Sequence, residues 1–346
     1  MNTWLTILIT LLVIAVLILV HEWGHFIVAR KIGIPIWEFS IGFGHRLFSV
    51  KKDGIEYSLR AIPLGGYVRM AGEELGDEAD PQGYLNRTPL EKMAVAFSGP
   101  FMNFVMALLV FIFVYSFVGI ATSSNEPLVG KVLSGKPAAQ AGLQEGDRIL
   151  TVNGAEVETW TEMTEAIDRN AAGEEMELTI QRDSNVKTIR LTPVLNETTG
   201  KPGIGILAHV VYEKTGIWEG VKIGSAQTYQ ATVNLLAGLG ILVSGGASMN
   251  DLAGPVGITQ LVGQFAQLGF ATLLMFAAFL SINLGILNLL PIPALDGSKI
   301  VFALVELIRR KPLEPEKEGF IHWLGFLFLI LLMVLVTFND IAKLLR

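Results

Sequence analysis

Residues 4–25 read WLTILITLLVIAVLILVHEWGH, and this stretch decides the class of fold. The run Trp4–Val20 is apolar and uncharged, as expected of a membrane span of about 20 residues. It lacks the basic start and small-residue cleavage site of a secretory signal peptide, so it predicts a retained span over about 4–27. The pattern His21-Glu22-Trp23-Gly24-His25 follows at the far end, where ionisable side chains are costly and usually functional.

This pattern predicts a metal site. His21 and His25 are four residues apart, so a helix places both imidazoles on one face, where they can bind one zinc ion. Glu22 can take a proton from the water that the zinc activates. Catalytic zinc typically has three protein ligands and a water whose pKa falls to about 7. A chance match is the alternative, and the position at the end of an apolar helix disfavours it.

The third ligand must be a histidine or a carboxylate, because the chain contains no Cys. The other histidines considered are His45, His209 and His322. Among the carboxylates, Asp296 directly adjoins a long uncharged run, and Pro291 and Pro293 break the helix just before it. Irregular backbone at membrane depth is tolerated only beside protein or a wet cavity. Asp296 is therefore the leading carboxylate, and an ordinary helix cap is the alternative for it.

The composition excludes several other classes of protein. Hydrophobic residues make up 51% of the chain and charged residues 17%, whereas a soluble domain has about 25% charged residues. The net charge of −6 leaves no basic excess for a phosphate backbone, so no nucleic-acid partner is expected. The expected environment is the lipid bilayer.

Three further apolar runs predict spans at about 100–121, 272–292 and 320–339. Lys and Arg cluster after the first span and before the last, at Arg30–Lys31 and Arg309–Lys311. Because positive charge marks cytoplasmic loops, both termini and the acidic segment between the second and third spans are expected outside.

The uncharged stretch 223–250 is a rival span. If it crossed the membrane, Asp296 would emerge on the side opposite His21 and His25. The stretch 228–245 is therefore expected to lie on the outer surface or to enter the membrane without crossing it, within an amphipathic or re-entrant segment predicted on the outer surface at 208–250.

Residues 36–70 alternate between apolar and polar side chains and are rich in Gly and aromatic residues. Lys52-Asp53-Gly54 is a hairpin turn signal between two strand-like runs. The region predicts β-hairpins against the inner leaflet, with an ordinary cytoplasmic loop as the alternative. An exposed sheet edge could pair with an extended peptide as an added strand.

Two motifs together resemble the site-2 protease family of intramembrane zinc metalloproteases. They are His-Glu-x-x-His in the first span and Asn-x-x-Pro-x-Pro-x-Leu-Asp-Gly at 288–297. Other segments similar to signatures of that family are Gly42-Phe43-Gly44, Pro63–Val68, Ser98–Asn103 and Gly254–Ile258. The resemblance runs in order over most of the chain and is closest to the bacterial regulator-of-sigma-E-protease group.

The resemblance implies a set of site residues. His21, His25 and Asp296 would bind one Zn²⁺ per chain, with Glu22 as the catalytic base. Asn288 would position substrate or stabilise the oxyanion, and Asn283 is a weaker candidate whose alternative is a packing hydrogen bond between spans. Residues expected to position the substrate strand are Gly42, Phe43, Gly44, Gly65 and Gly66.

Residues 126–207 predict a small soluble domain. The pieces Pro137–Leu143 and Gly146–Gly154 resemble a bacterial PDZ domain, whose groove binds a peptide as an added strand. The domain could bind a newly cut C-terminus, or it could exclude substrates with large outer domains. The second use is favoured by analogy with the family alone.

The predicted fold is a polytopic α-helical membrane protein with four transmembrane helices, a membrane-associated β-hairpin region and one inserted small α+β PDZ domain. The predicted units are 1–125, 126–207, 208–250 and 251–346. The expected function is zinc-dependent cleavage of transmembrane segments of single-pass proteins in the bacterial cytoplasmic membrane, near its cytoplasmic side. Anti-sigma factor-like proteins already trimmed by another protease, or remnant signal peptides, are the expected substrates.

Two other functions are the alternatives. A catalytically silent scaffold that presents its PDZ domain would be expected to lack some of the four key residues, which are all present. A metal transporter would need carboxylates or histidines distributed along a path through the membrane, whereas this chain concentrates them at one depth.

Overall fold

The computed structural model describes residues 2–73, 80–195, 201–246 and 253–344. The chain divides into two compact units, of which unit 1 comprises Met1–Ser116 and Gly216–Arg346, and unit 2 comprises Phe117–Thr215. The predicted boundary at 250–251 lies outside the described residues.

The elements are numbered in chain order. The helices are α1 (Thr3–Ile32), α2 (Pro89–Phe113), α3 (Pro137–Gln140), α4 (Trp160–Asp168), α5 (Ile217–Val243), α6 (Pro255–Gln267), α7 (Phe270–Leu289), α8 (Asp296–Arg309) and α9 (Pro315–Leu344). The strands are β1 (Ile36–Lys52), β2 (Ile55–Met70), β3 (Ile120–Ser123), β4 (Val129–Val132), β5 (Arg148–Val152), β6 (Ala155–Glu156), β7 (Met176–Arg182), β8 (Asn185–Leu191), β9 (Val194–Leu195), β10 (Pro202–Gly203), β11 (Ile206–Ala208) and β12 (Val210–Glu213).

Four helices within the described residues are long and apolar enough to cross a membrane, which confirms the predicted number. They are Thr3–Ile32, Pro89–Val118, Phe270–Leu289 and Pro315–Leu344. The second begins well before the predicted residue 100, because Thr88 and Glu91 form a capping box that starts α2 there. The helix then extends through a π-helical turn at Val114–Val118.

Helices α1 and α2 run antiparallel and cross at glycine. Asn103 contacts His21 and Val95 contacts His25, so residue numbers increase along α1 in the direction in which they decrease along α2. A Cβ atom on Gly24 would collide with the carbonyl of Ser98, so only glycine permits this close approach. The crossing therefore presses the histidine face of α1 against α2.

Helix α5 belongs to unit 1, and it begins at the end of the helix bundle where α2 ends. Its Gly220 packs against Ser116 at the end of α2, and Gly263 of the following α6 packs against Thr6 near the start of α1. Because α1 and α2 are antiparallel, these two contacts lie at the same end. The 27-residue α5 is also not one of the four candidate spans.

The predicted segment 208–250 is not a single element. Its first part contains β12, which pairs with β3 and so belongs to unit 2. This strand pair extends unit 2 beyond the predicted limits of 126–207, because pairing joins the two chain segments that enter and leave the unit.

The β-hairpin expected after the first span is present as β1 and β2. Its turn has Asp53 and Gly54 at φ values of 53° and 83°, the left-handed conformation that two-residue hairpin turns require. Phe39 in β1 pairs with both Val68 and Tyr57, so the first part of β1 lies between the two ends of β2. The segment around Val68 thereby becomes an edge of the sheet.

Unit 2 is a small α+β domain, as predicted. Its main sheet has the strand order β6-β5-β7-β8, and α4 packs on its apolar face through Met163 and Ile167. The buried Asp147 forms an ion pair with Arg182, with 2.6 Å between Oδ1 and Nε. Hydrogen bonds from Arg182 and from the backbone amide of Gln144 outweigh the effect of burial and hold the pKa of Asp147 below its usual value.

Candidate metal centre

His21 and His25 are buried on the face of α1 that meets α2. Nδ1 of His25 lies 2.8 Å from the carbonyl oxygen of Val95. A carbonyl oxygen only accepts, so in the neutral imidazole Nδ1 carries the proton and Nε2 keeps a free lone pair. The two Nε2 atoms lie 3.2 Å apart, and both point at the same space.

Asp296 reaches this space from the other half of unit 1. Helix α7 ends at Leu289, and after the turn containing Pro291 and Pro293, Asp296 is the first residue of α8. Its Oδ2 lies 3.0 Å from Nε2 of His21 and 3.4 Å from Nε2 of His25. The N-cap of α8 is Leu295, so Asp296 does not have the helix-cap role that was its alternative.

The three side chains fit a metal ion. Their ligand atoms lie within 4.8 Å of one another. Among the described residues, these three side chains form a group that could hold a metal ion. Oδ2 of Asp296 is buried without a hydrogen bond from any described residue and faces the free lone pair of His25. Two facing acceptors need a cation between them, and two imidazoles with one carboxylate form a donor set that zinc accepts.

Gly99 of α2 makes room for this cluster. A Cβ atom at this position would collide with Nε2 of both His21 and His25. Any larger residue would therefore displace the imidazoles from each other and from Asp296. The adjacent Pro100 lies inside α2, where it removes one helical hydrogen bond.

Glu22 and Asn288 line the same cavity as the three clustered side chains, a space of about 280 Å³. Asn283 does not line it. The two asparagines are five residues apart on α7, which turns them about 140° away from each other around the helix. The structure therefore brings one of the two predicted amides to the site and directs the other elsewhere.

The β-sheet forms one wall of the cavity through Tyr67, Val68 and Met70 of β2. The five predicted substrate-positioning residues, Gly42, Phe43, Gly44, Gly65 and Gly66, do not themselves line the cavity but shape this wall. A Cβ atom on Gly66 would lie 3.6 Å from Cγ of Glu22. The ring of Phe43 stacks on Tyr67 with 6.1 Å between centroids, and Gly42 and Gly44 have positive φ where the strand bends.

The remaining candidate histidines lie elsewhere. His45 is exposed on β1, and His209 belongs to unit 2. His322 of α9 accepts a hydrogen bond at Nδ1 from the backbone amide of Ala294, at 3.0 Å. It therefore contacts the turn that precedes Asp296 rather than the cluster itself.

Sequence reasoning missed two features next to the cluster. Asn103 of α2 is fully buried, and its Nδ2 lies 3.1 Å from Nδ1 of His21. Lys299 lines the cavity and forms an ion pair with Glu73 at 2.7 Å. Burial alone would lower the pKa of Lys299, but the charges around it, with Glu73 foremost, hold it above its usual value. Asn103 lies in a segment noted only as a family signature, and nothing in its spacing indicated His21 as its partner.

The comparisons with known proteins agree with this geometry. The profile of peptidase family M50 matches residues 9–332. The chain belongs to peptidase family M50. The zinc metalloprotease RasP of Bacillus licheniformis is 33% identical to it over 98% of this chain and 99% of its own length. The regulator of sigma-W protease RasP of Bacillus subtilis is 32% identical, over 98% of this chain and 99% of its own.

Membership of the M50 family makes this chain a zinc-dependent metalloprotease with membrane helices. The resemblance to site-2 proteases drawn from the motifs is thereby confirmed. The PDZ domain of an SdrC-like protein from Listeria monocytogenes matches 26% of this chain and 93% of its own, with 21% identity and a TM-score of 0.23. A similarity of that size adds no argument about the fold.

Proposed function

We propose that this M50 peptidase cleaves transmembrane segments of single-pass membrane proteins during regulated intramembrane proteolysis. The observation that carries the proposal is the convergence of His21, His25 and Asp296 beside Glu22 in one cavity, on helices of a bundle with four candidate spans. Counted along α1, His21 lies about 27 Å from Thr3, near the far side of a hydrocarbon core of about 30 Å. The cavity therefore lies at a depth in the membrane that the transmembrane segment of a substrate also reaches.

In this proposal His21, His25 and Asp296 hold one zinc ion. Zinc, when bound, supplies a Lewis acid that polarises the scissile carbonyl and activates a water. Val95 fixes the ring of His25 through its carbonyl, so the imidazole presents Nε2 without reorganisation. Glu22 lines the cavity beside the cluster and acts as the base that accepts the proton of the attacking water.

Asn288 is proposed as the amide that stabilises negative charge on the scissile carbonyl oxygen. It lines the cavity with Glu22 and the metal-binding cluster, and an amide N–H in a buried site donates to a developing oxyanion without moving. Asn283 has no part in this proposal, because it faces away from the cavity.

The sheet edge at Tyr67–Met70 is proposed to bind the unwound substrate as an added strand. This segment pairs with β1 along one side and lines the cavity with three side chains. An added strand would place its peptide bonds next to Glu22. Gly66 has no side chain, so the strand β2 can lie close to Glu22 at this position. Gly42, Phe43, Gly44 and Gly65 would act by fixing the bend of the sheet.

The proposed substrates are anti-sigma factor-like proteins trimmed beforehand by another protease, or remnant signal peptides. The relative in Bacillus subtilis that is named a regulator of sigma-W protease supports the first class. Unit 2 is proposed to be a PDZ domain from its two sequence motifs and its α+β composition, and to exclude substrates with large outer domains.

The proposed location is the bacterial cytoplasmic membrane, with both termini and unit 2 outside and the active site near the cytoplasmic side. The chain contains no Cys, so single cysteines can report the topology. A membrane-impermeant maleimide applied to intact cells should label Ser184→Cys in unit 2 and should not label Lys311→Cys after α8. Labelling of Lys311→Cys in intact cells would contradict this orientation.

The chemistry is tested with Glu22→Gln. This variant should bind zinc like the wild type and lose cleavage of a single-pass reporter protein in detergent, because the amide cannot accept a proton. The exposed Glu316→Gln is the matched control and should cleave normally. Asp296→Ala should lose zinc while keeping its elution volume in size-exclusion chromatography. Cleavage at the wild-type rate by Glu22→Gln would refute the proposed mechanism.

A further inference from the structure

One hydrogen bond closes the turn that presents Asp296: the backbone amide of Leu295 donates to the carbonyl oxygen of Ile292 at 3.1 Å. Pro291 and Pro293 have no amide proton, so neither can donate a further hydrogen bond within the turn. Ala294 has a φ of 75°, in the left-handed region that residues other than glycine rarely adopt. Such a conformation persists only when the surrounding structure imposes it.

The last candidate span supplies this support. Nδ1 of His322 accepts a hydrogen bond from the backbone amide of Ala294, with 3.0 Å between the two nitrogen atoms. This bond helps to hold Ala294 in its left-handed conformation. One turn later on α9, a Cβ atom on Gly325 would collide with the Cβ and carbonyl oxygen of Pro293. His322 and Gly325 thus contact two successive residues of the turn from one face of α9.

The orientation of the His322 ring is itself fixed. The ring packs edge-on against Phe302 of α8, with 5.4 Å between centroids and an angle of 84° between the rings. Because Nδ1 accepts a proton from an amide, the proton of the neutral imidazole is on Nε2. That atom lies 3.8 Å from the carboxylate of Glu318 and donates no hydrogen bond to the described residues.

We propose that His322 and Gly325 are positioning residues that hold the turn at 293–294 so that Asp296 faces the two zinc-binding histidines. His322 does not touch the metal or the substrate in this arrangement. Its acceptor nitrogen acts together with the hydrogen bond between Leu295 and Ile292 to keep Ala294 left-handed, and this conformation sets the direction in which the chain enters α8 at Asp296. The inference rests on the proposed role of Asp296 as a zinc ligand.

The test compares variants that keep or remove the acceptor at position 322. His322→Phe preserves a ring against Phe302 but cannot accept the amide proton, whereas His322→Asn restores an acceptor oxygen close to the position of Nδ1. His209→Phe in unit 2 is the matched control. The readouts are zinc retention against a chelator in detergent and the visible spectrum of the Co²⁺-substituted protein, which reports ligand geometry.

His322→Phe should weaken zinc retention by about tenfold to a hundredfold and change the Co²⁺ spectrum. His322→Asn should recover most of both properties, and His209→Phe should match the wild type. Gly325→Ala should act like His322→Phe, because its methyl group displaces Pro293, and it serves as the second test if His322→Phe does not fold.

Wild-type zinc retention and an unchanged spectrum in His322→Phe or Gly325→Ala would overturn the inference. So would a His322→Asn protein that is as impaired as His322→Phe, because the acceptor would then not be what matters. Asp296→Ala separates this failure from that of the proposed function. If Asp296→Ala retains zinc, the ligand assignment itself is wrong; if it loses zinc while His322→Phe does not, only the role of α9 is wrong.

Discussion

Nδ2 of Asn103 lies 3.1 Å from Nδ1 of His21, in a part of unit 1 where Asn103 is fully buried. Its Oδ1 has no hydrogen bond from any described residue. An imidazole that binds zinc through Nε2 carries its proton on Nδ1, which donates rather than accepts. Rotating the amide by 180° then places Oδ1 opposite that proton and satisfies both groups, and the two amide orientations are indistinguishable by shape alone.

Asn103→Ala should therefore weaken zinc binding without removing a ligand. The expected loss is about tenfold to a hundredfold in zinc affinity, as for other groups that orient a metal-binding imidazole. Competition with a chelating dye measures it, and Asn283→Ala is the matched control because Asn283 does not line the cavity. An unchanged affinity in Asn103→Ala would show that His21 is oriented by other contacts.

Substitution of Asn288 separates binding of zinc from catalysis. Asn288→Ala should retain zinc and lose about a hundredfold to a thousandfold in kcat, the loss seen when one oxyanion donor is removed. Asn283→Ala should cleave at close to the wild-type rate, because the helical turn directs it away from the cavity. Kinetics on a detergent-solubilised single-pass reporter would measure both. Equal losses in the two variants would mean that α7 tolerates neither change for structural reasons.

Helix α8 is anchored by a buried ion pair between Lys92 of α2 and Glu306, at 2.8 Å. Lys92→Met alone leaves the carboxylate buried without its partner, and it should lower the free energy of unfolding by about 3–5 kcal/mol. Lys92→Met combined with Glu306→Met should recover most of that loss, because neither charge then stays buried.

Thermal unfolding in detergent measures the ion-pair variants. The matched control is the exposed pair Glu314–Lys317, whose removal should change the free energy of unfolding by no more than about 1 kcal/mol. A double variant as unstable as Lys92→Met would show that the site cannot accommodate apolar side chains and that the charges are not the cause.

The Asp147–Arg182 pair should make the stability of unit 2 depend on pH. The pKa of Asp147 is lower in the folded chain than its unfolded value of about 3.9. Its contribution is therefore fully present above that unfolded value and is lost as the pH falls through the folded value. Asp147→Asn should destabilise unit 2 by about 1–3 kcal/mol at pH 7 and by less near pH 3.

Hydrogen exchange of amides in β5 and β7 of the whole protein measures this effect. The exposed Asp183 in the turn between β7 and β8 provides the control, since Asp183→Asn should leave exchange unchanged at both pH values. Equal destabilisation by Asp147→Asn at pH 7 and pH 3 would mean that the charge of Asp147 does not stabilise the fold.

Features set by neighbouring residues could be read from the sequence. The run Trp4–Val20 gave the first span because length and apolarity are local properties, and the other three spans followed in the same way. The hairpin turn at Asp53–Gly54 was correct because the left-handed conformation it needs is a property of those residue types. The spacing of His21 and His25 placed two imidazoles on one helix face without any knowledge of the fold.

Features set by distant residues needed the tertiary structure. The sequence could name Asp296 as a candidate, but only the packing of α8 against α2 shows it 3.0 Å from His21. Likewise Asn103 and His322 carry no local signal, because their partners are set by where helices cross. The resemblance to the family already made Asn283 the weaker of the two asparagines of α7, but only the rotation of the helix in the bundle shows that Asn288 lines the cavity and Asn283 does not.

Local sequence is enough to predict the membrane class, the four spans, the hairpin and the two-histidine motif, because each depends on a few consecutive residues. The tertiary structure decided which side chains surround those histidines and what holds Asp296 in place. Side-chain contacts between helices depend on the points where the helices come closest, such as Gly24–Ser98 and Gly325–Pro293. Those crossing points arise from packing the whole bundle and have no periodicity that a linear sequence reveals.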